Sequence, residues 1–243
     1  MESRETIDHL EQLLENKDFR NMKPLLQEMQ DVDIALFLDE LQPELALAVF
    51  RTLPKERAAA VFSYFAQETQ ESIVQSVTDQ ELSRIMEDLS VDDAVDMIEE
   101  LPANVVKRVL KNANHPTRTL INQFLQYPEH SAGSIMTAEF TDLHSTMTVA
   151  DAIVHLRTTG ENRETIYTCY IIDPQRMLRG VLSVKDLLLA KDDMLVADLM
   201  DTHVIHAVTT DDQKTVVQLF SKYDLISLPV VDKESRLVGI VTI

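Results

Sequence analysis

The sequence predicts a multi-domain chain of α and α+β classes: an N-terminal all-α superhelical array of short helices over residues 1–126, then a duplicated α+β half of two βαββα modules. Three observations carry this. A large apolar residue recurs every 12 positions at Met29, Leu41, Leu53, Phe65, Val77, Leu89 and Leu101. A segment at 169–187, CYIIDPQRMLRGVLSVKDL, returns 59 residues later as LPVVDKESRLVGIVTI at 228–243. With 4 Gly, 1 Cys and no Trp, the composition argues against a loop-rich, disulfide-stapled or propeller-like chain.

In the first half, most of the recurring apolar residues precede a cap-like or Pro-containing step, as in LQPEL, LPKER, VTDQE, LSVDD and LPANV. About eight residues of helical pattern follow each step. One short helix cannot bury its apolar face alone, so successive units must stack around a shared core.

From Tyr127 the period changes. The stretch 169–187 reads as a β-branched strand, a Pro turn, a second strand and a helix start. In the second copy Asp173 corresponds to Asp232, Gly180 to Gly239 and Ser183 to Thr242. Upstream, 134–157 resembles 198–224: a Met-containing lead, a short strand, a Thr- or Asp-capped start and an amphipathic helix. The halves divide as 127–197 and 198–243, packed as a pseudo-twofold pair.

The net charge is −19, and residues 1–126 carry 24 acidic against 12 basic side chains. Such a chain repels nucleic acid and anionic lipid and attracts cations, although acidic surfaces also serve solubility alone. The N-terminus has no continuous apolar core of a signal peptide, and no stretch approaches a membrane helix, so a cytoplasmic chain is expected. A single cysteine, Cys169, in the apolar TIYTCYII, fits a reducing compartment and a small buried hydrophobe.

The densest acidic stretch is LSVDDAVDMIEELP, 89–102. On a helix Asp92, Asp96 and Glu99 fall within about 60° of one another, with Asp93 and Glu100 at the flank and Ala94, Val95, Ile98 and Leu101 opposite. Carboxylates in a first turn favour the helix dipole, and a solvated acidic face needs no ligand. Against that, like charges at i,i+4 destabilise a helix by roughly 0.2–0.5 kcal/mol per pair, and no Lys or Arg lies between Asp88 and Glu100.

The duplicated GVLSVKDL and LPVVDKESRLVGIVTI resemble a tandem pair of cystathionine-β-synthase (CBS) domains, the second cut short at its C-terminal end. YPEHSAGSIMT at 127–137, leading into that pair from an acidic helical repeat, extends the match to the cytosolic region of the MgtE family of magnesium channels. The resemblance implies a Mg²⁺-sensing regulatory region: ions between the helical domain and the CBS pair cancel the repulsion of acidic surfaces and favour a compact, pore-closed state. It implies Asp92 and Asp96 as ligands on the helical side, and the Ser134 carbonyl, the Ser221 carbonyl and Asp224 on the CBS side. Two positions depart from the family pattern, because a family glutamate falls on Ala60 and an acidic CBS position on Lys214. It further implies a homodimer through the CBS domains, and a parent protein at the cytoplasmic face of the membrane whose pore lies outside these residues. The chain ends within the strand that should lead on to further ligands. Hard oxygen donors suit Mg²⁺, and Ca²⁺ accepts the same atoms.

Two other readings stand beside this one. Ser183 and Asp186 have the Ser/Thr-x-x-Asp spacing that CBS domains use on a ribose, so ATP or another adenine nucleotide is a second expected ligand, with Lys185 near its phosphates. A cap at a helix start explains the same residues. The helical half alone also fits a protein-interaction solenoid. No enzyme is expected: the 7 His are dispersed, no HExxH, phosphate loop or nucleophile elbow occurs, and His203 and His206 fit surface or packing roles. The 10 Met fall mostly at helix-core spacing.

Overall fold

The computed structural model describes residues 4–243, with all side chains among them except those of Arg4 and Glu56. Two compact units divide between Ile121 and Asn122.

The first unit holds α1 (Arg4–Glu15), α2 (Phe19–Glu28), α3 (Asp31–Asp39), α4 (Pro43–Phe50), α5 (Lys55–Ser63), α6 (Gln67–Ser76), α7 (Asp79–Asp88), α8 (Val91–Glu100) and α9 (Ala103–Asn112); α10 (His115–Phe124) runs across the division. The 12-residue period is the period of helix ends: Met29, Val77, Leu89 and Leu101 are the C-caps of α2, α6, α7 and α8, all buried. The caps follow from the same steps. Pro43 opens α4, Thr78 and Glu81 form a reciprocal capping box on α7, and Ser90 accepts the Asp93 N–H at the start of α8. Helices α3, α5, α7 and α9 pack in one row and α4, α6 and α8 in another. Phe50, Phe62 and Phe65 meet between them with ring centroids 5.7–6.4 Å apart.

Two arginines tie distant helix ends together. Arg57 of α5 donates to the Leu26 and Met29 carbonyls at 2.7 and 2.6 Å and pairs with Asp31. Arg108 of α9 donates in the same way to the Val74 carbonyl, to the Val77 carbonyl at 2.5 Å and to Asp79 at 3.0 Å. Each guanidinium thus donates to carbonyls at a helix C-terminus and bridges to the first residue of the next helix.

The second unit is the predicted duplication. Its first copy has β1 (Asp142–His144), α11 (Val149–Thr159), β2 (Thr168–Ile172), β3 (Leu178–Ser183) and α12 (Val184–Leu189). After the short α13 (Val196–Leu199), the second has β4 (Ala207–Val208), α14 (Gln213–Tyr223), β5 (Ser227–Val231) and β6 (Leu237–Thr242). Both sheets run in chain order, with a parallel then an antiparallel pairing, and both shift register at the same place, Ile171/Ile172 and Val230/Val231. Asp173 and Asp232 each accept two backbone N–H groups across the β2–β3 and β5–β6 turns, and Arg176 and Ser235 take the left-handed conformation there.

Each lead segment closes the other copy's sheet. Thr137 exchanges two backbone hydrogen bonds with Ile240 of β6, and Asp201 does the same with Val181 of β3. The two matching glycines follow from this exchange: a Cβ at Gly180 would lie 2.8 Å from the Met200 sulfur, and at Gly239 2.6 Å from the Met136 sulfur. The swapped leads tie the two copies to each other.

Candidate cation face and ligand cavity

Helix α8 buries Val91, Ala94, Val95, Met97 and Ile98 and leaves Asp96, Glu99 and Glu100 exposed, with Asp92 and Asp93 half-buried. Asp92 differs from its neighbours, because its Oδ1 is shielded from solvent and has no hydrogen-bond partner among the described residues. A buried, unpaired carboxylate oxygen costs free energy unless something donates to it or a cation neutralises it. Partial desolvation, then the charges of Asp92, Asp93, Glu99 and Glu100, push the Asp96 carboxyl above the ordinary aspartate value. Among the described residues no ion pair reaches Asp92, Asp96, Glu99 or Glu100; the nearest in sequence joins Lys55 to Asp88 at 3.3 Å.

In the second unit, Ser134 lies in a tight loop, where its Oγ donates to the Ser131 carbonyl at 3.0 Å and accepts the Ser131 N–H at 3.1 Å. That loop is fastened beside the N-terminal end of α14: Ala132 and Gly133 donate to Asp211 and Thr209, and Gln213 donates to His130. Ser221 and Asp224 belong to the other end. Ser221 is in the last turn of α14, where carbonyls have no intrahelical partner, and Asp224 is the C-cap in left-handed conformation with φ 51° and ψ 48°. Helix polarity makes that end negative, so the carboxylate and the free carbonyls reinforce one another towards a cation. The 11 residues of α14 span about 16 Å, so Ser134 and Asp224 cannot share one ion. Among the described residues no three His, Cys, Asp or Glu side chains converge as they would on a metal.

Ser183 and Asp186 do come together. Ser183 caps α12, its Oγ accepting the Asp186 N–H at 3.1 Å and donating to Asp186 Oδ2 at 2.6 Å. Both line a cavity of about 470 Å³ between the two copies, with Asp201, Asp224 and the Tyr170 and Ser227 pair, whose hydroxyls lie 2.7 Å apart. Tyr170 and Ser227 carry no motif that sequence alone reveals, since they lie 57 residues apart in sequence. The alignment of copies held a partial signal: Thr168 and Ser227 occupy matching places, 59 residues apart. Cys169 is buried, and desolvation pushes its thiol up to about 12, so it stays protonated.

A helical repeat array is joined in one chain to paired α+β modules with a cavity between them. Residues 29–130 match the model of the MgtE intracellular N domain, and residues 132–193 and 196–243 match that of the CBS domain. The chain belongs to the MgtE family of magnesium transporters, and corresponds to its cytosolic region. Magnesium transporter MgtE of Thermus thermophilus is 36% identical over 96% of this chain and 53% of its own length. That of Bacillus subtilis is 31% identical over 90% and 51%. The chain thus spans about half the length of these relatives. Among solved structures, the cytosolic domain of the Mg²⁺ channel MgtE in complex with ATP superposes with a TM-score of 0.89 at 35% identity, covering 97% of this chain and 96% of that one. The soluble part of a magnesium transporter gives 0.92 at 27% identity, covering 100% and 95%. Neither matched family is a family of enzymes. Among the described residues no helix is long and apolar enough to cross a membrane.

Proposed function

We propose that this region senses cytosolic Mg²⁺ for a magnesium channel, by holding ions on the α8 face and at the α14 end and so drawing the helical and CBS domains into a compact, pore-closing arrangement. The orphaned Asp92 Oδ1, one turn from an Asp96 whose pKa is raised, carries the reading. A hydrated divalent ion removes both penalties at once, and Mg²⁺ retains several waters, so few protein ligands per site suffice. Asp92 and Asp96 serve on the helical side; Asp224 and the Ser221 carbonyl serve on the CBS side, with the Ser134 carbonyl at a separate ion. The partners are the membrane pore of a longer parent protein, at the cytoplasmic face, and a second copy of the chain. The exposed Leu188 and Leu189 of α12 and Val217 of α14 support association of CBS faces. Mg²⁺ calorimetry tests the ligand set: Asp92→Asn with Asp96→Asn must weaken binding at least tenfold, and unchanged isotherms would exclude these ligands.

The cavity supports a second, compatible reading, an adenine nucleotide bound with Ser183 and Asp186 on its ribose hydroxyls. The cavity's size suits a nucleoside, and the MgtE domain solved with ATP has the same fold. Calorimetry with ATP, ADP and AMP, on wild type and Asp186→Ala, tests it.

A further inference from the structure

A cavity of about 290 Å³ lies wholly within the helical unit, between α2 and the turn from α4 to α5. Lys23, Gln27, Arg51 and Arg57 supply its polar wall, over Leu26 and Leu53. Acidic side chains outnumber basic ones 24 to 12 over residues 1–126, yet three of those 12 cations meet here and no carboxylate lines the wall. Positive potential is thereby concentrated in a cleft of a unit that otherwise repels anions.

The three cations are anchored without being used up. Arg57 gives Nε and Nη2 to Asp31, Nη2 to the Met29 carbonyl and Nη1 to the Leu26 carbonyl, which leaves one Nη1 hydrogen unassigned. Arg51 gives Nε and Nη2 to the Glu81 carboxylate at 2.9 and 3.2 Å, and its Nη1 has no acceptor among the described residues. Neither Asp31 nor Glu81 lines the cavity, so each guanidinium is held by a carboxylate from outside it. Lys23 is exposed and has neither a hydrogen bond nor an ion pair among the described residues. Two fixed guanidinium groups with spare donors, beside a mobile ammonium, are the chemistry that takes a phosphoryl oxyanion. The volume is at the lower end of cavities that hold organic ligands, so it suits one or two phosphoryl groups and leaves little room for a nucleoside.

We propose that this cavity is an oxyanion site for a small phosphate compound, and that a diphosphate group fits it better than a single phosphate. The bound anion accepts from Lys23 of α2 and from Arg51, the C-cap of α4, and so ties α2 to the α4–α5 turn. The site is separate from the cavity between the two copies, whose wall carries Asp186, Asp201 and Asp224.

Calorimetry on the whole chain, in EDTA at constant ionic strength, tests this with inorganic pyrophosphate and inorganic phosphate, neither of which carries a base or a ribose. One saturable site for pyrophosphate is expected, with phosphate binding several-fold more weakly. Lys23→Gln removes no hydrogen bond among the described residues, so the fold is kept, and it should weaken pyrophosphate about tenfold. Arg51→Gln should weaken it at least as much. Lys107→Gln, which removes an exposed cation of α9 that does not line the cavity, should change the affinity less than about twofold. No saturable heat from pyrophosphate overturns the proposal, as does an affinity that Lys23→Gln leaves unmoved. Equal weakening by Lys23→Gln and Lys107→Gln overturns it too, because the anion then answers to net charge alone. Phosphate binding as tightly as pyrophosphate overturns the preference for a diphosphate. None of these outcomes bears on the nucleotide reading.

Discussion

In the CBS unit Asp151 is held below the ordinary aspartate value by the Thr148 hydroxyl and N–H, and Asp212 by the N–H of Thr215 first among its donors. Asp173 is desolvated, yet hydrogen bonds from Arg179, Met177 and Gln175 outweigh that and lower it too. In the helical unit Glu81 belongs to the same kind, lowered to about 2 chiefly by Arg51 and by the Thr78 backbone. Asp96 runs the other way: its pKa is raised, and nothing basic pairs with it among the described residues. The difference separates carboxylates that hold a cap or turn from one surrounded by other carboxylates. Count of charge does not distinguish them; the donors around each one do.

This contrast can be broken at several points. The largest effect is expected where a charged group is committed to structure: Arg108→Ala leaves the Val74 and Val77 carbonyls and Asp79 without their donor, costing about 3 kcal/mol in urea unfolding of the whole chain. Removing the more exposed Arg179, paired with Asp173, should cost under about 1 kcal/mol.

Within the CBS pair, Gly239→Ala is expected to lower stability by about 2 kcal/mol and Gly180→Ala by less. At Gly239 the added Cβ meets the Thr137 carbonyl oxygen at 2.7 Å, whereas at Gly180 the backbone neighbour, the Asp201 oxygen, is 3.1 Å away and the closer Met200 sulfur can swing aside. Equal losses in melting temperature would show that the two copies are held alike.

Thr148→Ala removes a capping box from α11 and should cost about 1 kcal/mol at neutral pH. Because the partner Asp151 has a lowered folded pKa, its share of that loss is present above the unfolded aspartate value and fades as pH falls through the folded one. The smallest effect has the opposite sign. The folded pKa of Asp96 is raised, so the folded state binds the proton more readily, and stability falls as pH rises from the unfolded value through the folded one. Asp96→Asn in EDTA at pH 7 should therefore stabilise the chain, by about 0.5 kcal/mol, and the gain should vanish below about pH 4 in thermal melts.

Much of the fold was legible because it is written twice or more. The 12-residue period marks helix ends, with an apolar residue at the C-cap or within two residues after it, and the 59-residue repeat returns as two sheets of the same order and register. The exchange of lead segments was not legible: Thr137 with Ile240 and Asp201 with Val181 are pairings across copies, and periodicity within a copy carries no trace of them. At the candidate site, helical spacing alone gathered Asp92 and Asp96 on one side of α8. What singles out Asp92, an oxygen shielded and without a partner among the described residues, depends on the packing around it. Likewise Ser183 and Asp186 were legible from spacing, while Tyr170, Asp201 and Ser227 reach the same cavity only through the sheet topology.

Small-angle scattering of the whole chain, in EDTA and in saturating Mg²⁺, tests most directly whether Asp92 and Asp96 of α8 make it a sensor. The radius of gyration should fall on adding Mg²⁺, and should stay at its EDTA value in the Asp92→Asn, Asp96→Asn double variant. Identical wild-type curves in the two buffers, or a contraction that the double variant keeps in full, would contradict it.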